Sequence, residues 1–191
     1  TKIIDFKNVR RSGLIALKIR PEDMLEWVRP SGGKDDIVLV TQLGQAIRFK
    51  ESGVRAMGRT AAGVRGIKIK SEDDVIGMGV VSPLLVKKKV MELLVVSENG
   101  LGKRTKISEY KVQGRGGSGI KTMNVTDKTG RIMSARVVNN TEPNDLLIIS
   151  KNGQVVRISM KTVSTLGRAT QGVRIMRFKK SGDIVAGITV L

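Results

Sequence analysis

Apolar residues along this chain come in short runs and never settle into a helical stripe. Val38-Leu39-Val40-Thr41, Leu94-Val95-Val96-Ser97 and Leu147-Ile148-Ile149-Ser150 are brief and rich in β-branched side chains. That length and composition predict buried strands. Each run stops at a turn signal, Leu43-Gly44, Asn99-Gly100 or Asn152-Gly153. An Asn-Gly pair supplies the positive φ angles of a tight hairpin, so a return strand is expected after each. Val155-Val156-Arg157-Ile158 alternates accordingly, with Arg157 on one face and its apolar neighbours on the other. Further strands are predicted over 63–69 and 75–81, with counterparts at 172–178 and 184–190. No helix longer than a turn or two is expected.

The pattern is periodic. Gly44-Gln45-Ala46-Ile47-Arg48 is followed by Gly58-Arg59 and Gly63-Val64-Arg65. The same spacing recurs in Gly100-Leu101-Gly102-Lys103-Arg104, Gly114-Arg115 and Gly119-Ile120-Lys121, and again in Gly153-Gln154-Val155-Val156-Arg157, Gly167-Arg168 and Gly172-Val173-Arg174. A partial copy, Arg10-Arg11-Ser12-Gly13-Leu14, opens the chain. The repeats cover approximately 1–31 (partial), 35–85, 91–140 and 144–191 of one unit spanning 1–191. Repeating four-stranded units of this length predict an all-β, propeller-like array, about three and a half blades long, and the chain is expected to be a piece of a longer protein.

Composition narrows the function. Aromatic residues make up 3% of 191, so the core must rest on Val, Ile, Leu and Met. Lys and Arg number 35 against 17 Asp and Glu, a formal charge of +18. A compact body with that charge seeks a polyanion, and nucleic acid is the expected partner. Cysteine and histidine are both absent. Disulfides, thiolate metal sites and Ser–His–Asp or Cys–His catalysis are thereby excluded. No apolar run is long enough for a membrane helix and the first residues do not resemble a signal peptide, so a cytoplasmic, chromosome-associated setting is expected.

Basic residues recur in three columns: Arg48, Arg104 and Arg157; Arg59, Arg115 and Arg168; Arg65, Lys121 and Arg174. The second column sits in glycine-rich loops, where small residues let a phosphate approach the backbone and the guanidinium offers it a fork of donors. The first column lies between apolar neighbours and suits intramolecular pairing as well as DNA. Arg10 and Arg11 add charge in the partial repeat. Lys87-Lys88-Lys89 reads as a solvated linker. Asp35-Asp36 and Asp73-Asp74 are adjacent carboxylates, which diverge in extended chain, so no metal site is expected. Tyr110 reads as a packing residue. Gly114-Arg115-Gly116-Gly117-Ser118-Gly119 lacks the lysine-hydroxyl ending of a phosphate-binding P-loop. No catalytic residue is assigned.

The segment from Glu109 to Ile120 resembles the glycine-arginine box of the DNA gyrase A C-terminal domain, Gln-Arg-Arg-Gly-Gly-Lys-Gly. Gln113, Arg115, Gly116, Gly117 and Gly119 match it, whereas Gly114 and Ser118 replace an arginine and a lysine. The segments 57–67 and 166–174 look like degenerate boxes of the same family. The resemblance implies a β-pinwheel, in which neighbouring blades exchange strands and duplex DNA wraps around a basic rim. It further implies partners in the rest of gyrase A and in gyrase B, with ATP and Mg acting there, no cofactor in this domain, and a place among the later blades. The alternatives are the matching domain of topoisomerase IV and, in a different class, a basic propeller that binds an acidic protein.

Overall fold

Three hairpins organise the chain, which is described over residues 1–191 in a computed structural model. They join β1 (Asp36–Thr41) to β2 (Gln45–Lys50), and, after β3 (Val75–Val81), β4 (Met91–Ser97) to β5 (Leu101–Lys106). The third, beyond β6 (Val112–Gln113), β7 (Ile120–Lys121) and β8 (Ile132–Asn139), joins β9 (Asp145–Ser150) to β10 (Val155–Ser159). Two strands complete the set, β11 (Val173–Arg174) and β12 (Val185–Val190).

The turns differ from the tight Asn-Gly hairpin expected. Positive φ falls on Gly44, Gly100 and Gly153 but not on Asn99 or Asn152. The glycine amides close onto Thr41, Ser97 and Ser150 carbonyls at 3.1, 3.0 and 3.0 Å. This is a three-residue connection whose glycine takes the left-handed position after a right-handed turn. A hydroxyl column tightens it. Thr41 Oγ1 and Ser150 Oγ accept the Gln45 and Gln154 amides at 3.2 and 3.1 Å.

Each hairpin gains a third strand from its own repeat. β3 pairs antiparallel with β1, β8 with β4 and β12 with β9. The next strand comes from the following repeat. β7 runs antiparallel to β2, with Ala46 opposite Ile120, and β6 lies parallel to β2, with Arg48 opposite Val112. β11 takes the same place on β5, Val173 opposite Gly102. The result is a propeller-like array with exchanged strands. The 63–69 segment, predicted as a strand, forms none, whereas its counterpart β7 pairs with the hairpin one repeat earlier. The 172–178 prediction shrinks to β11 for want of longer pairing. The lysine run at 87–89 begins on the last residue of Pro83–Lys87, a single helical turn with proline at its start.

Two buried clusters lie between successive repeats. One gathers Val38, Val40, Val81, Leu93, Val95, Ile107, Tyr110 and Ile132, the other Leu94, Val96, Leu146, Ile148, Met160 and Val185. Each repeat therefore buries its apolar face against its neighbour, which holds the box loops of successive repeats in fixed relation.

Candidate nucleic-acid interface

Two members of the first basic column are held in ion pairs within the fold. Arg48 is 7% exposed. Its Nε and Nη2 donate to Asp36 Oδ2 at 2.9 and 2.6 Å, and its Nη1 to the Ile107 and Tyr110 carbonyls of the next repeat at 3.2 Å each. Arg104 repeats the arrangement, with Nη1 2.9 Å from Glu92 Oε2 and Nε 2.9 Å from the Val163 carbonyl. Both guanidinium groups are engaged inside the fold, so of the two roles the sequence leaves open to them the structure shows intramolecular pairing. Arg157 pairs with Asp145 at 2.7 Å but its side chain keeps 66% exposure, so it still faces solvent. The acid partners Asp36, Glu92 and Asp145 stand twelve residues before their arginines, a regular spacing in the sequence that marks the pairs.

The loop arginines also touch protein. Arg59 Nη1 donates to the Ile15 carbonyl at 3.1 Å, Arg115 Nη1 to Arg65 at 2.6 Å, and Arg168 Nη1 to Lys121 at 3.0 Å. Their other guanidinium donors remain largely open, apart from Arg115 Nε on the Gly53 carbonyl at 3.4 Å. The third column is the most open: Arg65, Lys121 and Arg174 are all exposed, with Arg174 Nη1 3.2 Å from the Asn99 carbonyl. Arg10 and Arg11 are exposed at a turn closed by the Gly13 amide on the Arg10 carbonyl, 2.9 Å.

The glycines separate into geometric and open sets. Gly13, Gly63, Gly119 and Gly172 share positive φ between 73 and 80°. A Cβ on Gly119 would lie 2.5 Å from the Ala46 carbonyl oxygen, so any other residue there is both strained and clashing. Gly58 and Gly114 have no such demand: neither has positive φ, and a Cβ would meet nothing within 4 Å. These are the positions that leave backbone open beside an arginine. In the second box the Gly116 amide is taken by the Gly66 carbonyl at 2.7 Å, and the Gly117 carbonyl accepts the Lys68 amide at 2.9 Å. Gln113 is half-buried in β6 opposite Phe49. The box backbone therefore docks on the preceding repeat, while Arg115 and Ser118 stay exposed.

Beneath the third box lies an unpredicted lysine. Lys103 is fully buried, and its Nζ donates to the Gly167 and Arg168 carbonyls at 2.7 and 2.5 Å and to Thr170 Oγ1 at 3.0 Å. Burial pulls its pKa down to about 8; Glu109 opposes this and Arg168 adds to it. The matching residue in the first repeat is the apolar Ile47, so only alignment of the repeats could have exposed the difference. Tyr110 packs as expected: its hydroxyl meets Thr122 Oγ1 at 2.5 Å, and burial pushes its pKa up to about 12. The carboxylate pairs serve the backbone and the ion pairs, with Asp36 on Arg48 and Asp73 Oδ1 accepting the Leu43 amide at 2.9 Å.

Sequence reasoning also passed over the cleft between the second and third repeats. It holds about 800 Å³ and is lined by Lys128, Arg174, Arg177 and Lys180, with Asp127 and Asp183. Most of its charge comes from residues outside the three columns. No helix is long and apolar enough to cross a membrane.

Comparison with known proteins agrees with this architecture. The family described as the DNA gyrase C-terminal domain, beta-propeller, matches residues 1–31, 35–82, 92–139 and 144–191. The DNA gyrase A protein of Staphylococcus aureus (strain MRSA252) is 40% identical over 173 residues, covering 91% of this chain. The chain spans 19% of that relative's length. A solved structure of the DNA gyrase A C-terminal domain superposes with a TM-score of 0.79 at 25% identity, covering 94% of this chain and 58% of the other. The C-terminal domain of DNA topoisomerase IV shares the fold, with a TM-score of 0.86 at 21% identity over 98% of this chain and 56% of that one. With four matched segments, one per repeat, and a relative this similar over 91% of this chain, the chain belongs to the DNA gyrase C-terminal domain family of β-propellers.

Proposed function

We propose that this domain binds duplex DNA along its box edge and bends it, as a non-catalytic part of a gyrase-type enzyme that introduces negative supercoils together with the rest of gyrase A, gyrase B and ATP. The observation that carries the reading is the third column. Arg65, Lys121 and Arg174 are exposed, and each stands two residues after a glycine of positive φ, at the same point of successive repeats. A polyanion following that edge meets a cation at every repeat, and the open glycines Gly58 and Gly114 let it come close. Arg59, Arg115 and Arg168 border the same edge. The chain offers little aromatic surface for stacking on single strands and no recognition helix. Preference among duplexes then arises from how easily they bend.

Binding of the chain to duplexes of equal length but different flexibility, followed across a salt series, tests this. The expected result is affinity that falls linearly in log salt, by about 0.9 per phosphate engaged, with preference for the flexible duplex. Salt-independent binding, or a strict preference for one base sequence, refutes it. Membership of a topoisomerase IV enzyme is the second reading, favoured by the closer superposition on that enzyme's domain; supercoiling of relaxed plasmid by the full-length protein with its partner protein separates the two.

A further inference from the structure

The loop arginines make one contact three times, each to the backbone carbonyl of the third-column position one repeat earlier. We propose that Arg59, Arg115 and Arg168 are positioning residues: they fix the step between successive repeats, and so the path of the bound duplex, while phosphate neutralisation falls to the third column. The proposal rests on the reading that this edge bends DNA.

Three observations carry it. The acceptor of Arg59 is the carbonyl of Ile15, a position with no charge to deliver. The contact therefore forms whether or not a cation stands there, which suits array geometry better than charge placement. Next, Arg59 and Arg168 are only half exposed, and Arg115, though exposed, has both Nη1 and Nε on protein carbonyls, whereas Arg65, Lys121 and Arg174 are all exposed. Finally, in the second box the backbone repeats the side chain's attachment, with the Gly116 amide on the Gly66 carbonyl at 2.7 Å beside Arg115 Nη1 on the Arg65 carbonyl at 2.6 Å.

The physical consequence is specific. A carbonyl held by a permanently charged donor anchors the peptide from which the Arg65 or Lys121 side chain springs. Bending a duplex costs energy that is recovered only if successive contacts fall on the curved path. Contacts that wander relative to one another still attract phosphates but no longer enforce the curve.

The test uses the whole chain in two triple variants, R59M/R115M/R168M, which keeps an unbranched stem without donors, and R65M/K121M/R174M. Salt dependence of duplex binding, energy transfer between labelled duplex ends and thermal unfolding are measured for each. The loop variant is expected to keep its salt slope to within about one, to weaken binding by less than about tenfold, and to lose energy transfer to near the level of free duplex. The third-column variant is expected to lose about 2.7 from the slope. A loop variant that loses a slope of that size makes these arginines phosphate contacts and overturns the proposal, as does one that bends DNA like the unmodified chain. Should the triple loop variant unfold, R115M is decisive, since the Gly116–Gly66 backbone bond remains: normal melting with weakened bending supports the proposal, and normal bending refutes it. If the unmodified chain fails to bend DNA, the functional reading itself fails, an outcome distinct from a wild type and a loop variant that bend alike.

Discussion

Replacing Arg48 by alanine should be among the most destabilising single changes in the molecule without touching DNA binding directly. The side chain and its partner Asp36 are 8% and 4% exposed. Removing the guanidinium strands the Asp36 carboxylate and withdraws a donor from the Ile107 and Tyr110 carbonyls. Breaking a buried ion pair from one side costs about 3–5 kcal/mol. The equivalent pair in the third repeat, Arg157–Asp145, has exposures of 66% and 31%, and an exposed pair is worth about 0.2–1 kcal/mol. The same chemistry at matched positions should therefore differ severalfold in cost. Urea unfolding of R48A, R157A and the unmodified chain measures it, and R48M/D36L adds a control that removes both charges. That double variant should recover most of the loss, because apolar replacement of a buried pair is often neutral or stabilising. If R48A and R157A cost the same, or if R48M/D36L is as unstable as R48A, the argument from desolvation is wrong.

Other outcomes follow from the same geometry. Lys103 has a folded pKa of about 8 against an ordinary value of 10.5, so the unfolded chain binds more protons between those values and stability should rise with pH across that window. Denaturation midpoints taken between pH about 8 and about 10 should show the rise, and K103M should abolish it; a fall with pH refutes the burial argument. Gly119→Ala should destabilise by more than about 1 kcal/mol, because it is strained and clashes, whereas Gly114→Ala should stay within about 0.5 kcal/mol. If a phosphate approaches Gly114, G114A should nonetheless weaken duplex binding, and unchanged affinity at low salt would remove that glycine from the interface.

Much of the fold was legible in the sequence because the repeat is strict where the backbone is constrained. The hairpin glycines and the third-column glycines recur at fixed spacing since each needs positive φ, and the strand runs between them could be read directly. Strand exchange was harder to see. Nothing in the residues 120–121 says that they pair with Gln45 and Ala46 and not with their own repeat; only the family resemblance implied it. For the same reason 63–69 read as a strand, having the right composition but no partner. The roles of the arginines divided in a way composition cannot express. Arg48 and Arg157 share a column and each has an acid partner twelve residues earlier, yet Arg48 is buried against the Ile107 and Tyr110 carbonyls of the following repeat, whereas the Arg157 side chain keeps 66% exposure. Lys103 was missed because a lysine between Gly102 and Arg104 looks like surface charge until the loop above it supplies three acceptors.

Because β2 is completed by residues 112–121, the first hairpin cannot be finished when its own repeat leaves the ribosome. The wait from Lys50 to Lys121 is 71 residues of synthesis, on the order of 4–14 s at cellular elongation rates. During that interval the β2 edge is an open template for pairing with any passing strand. Each newly made box thus acts in turn as a clasp for the hairpin before it, and assembly advances along the chain in one direction, one repeat behind translation. A repeat moved to another position would carry the clasp for a different neighbour, so the order of the units is part of the fold's chemistry and cannot be shuffled as freely as in arrays whose modules are self-contained.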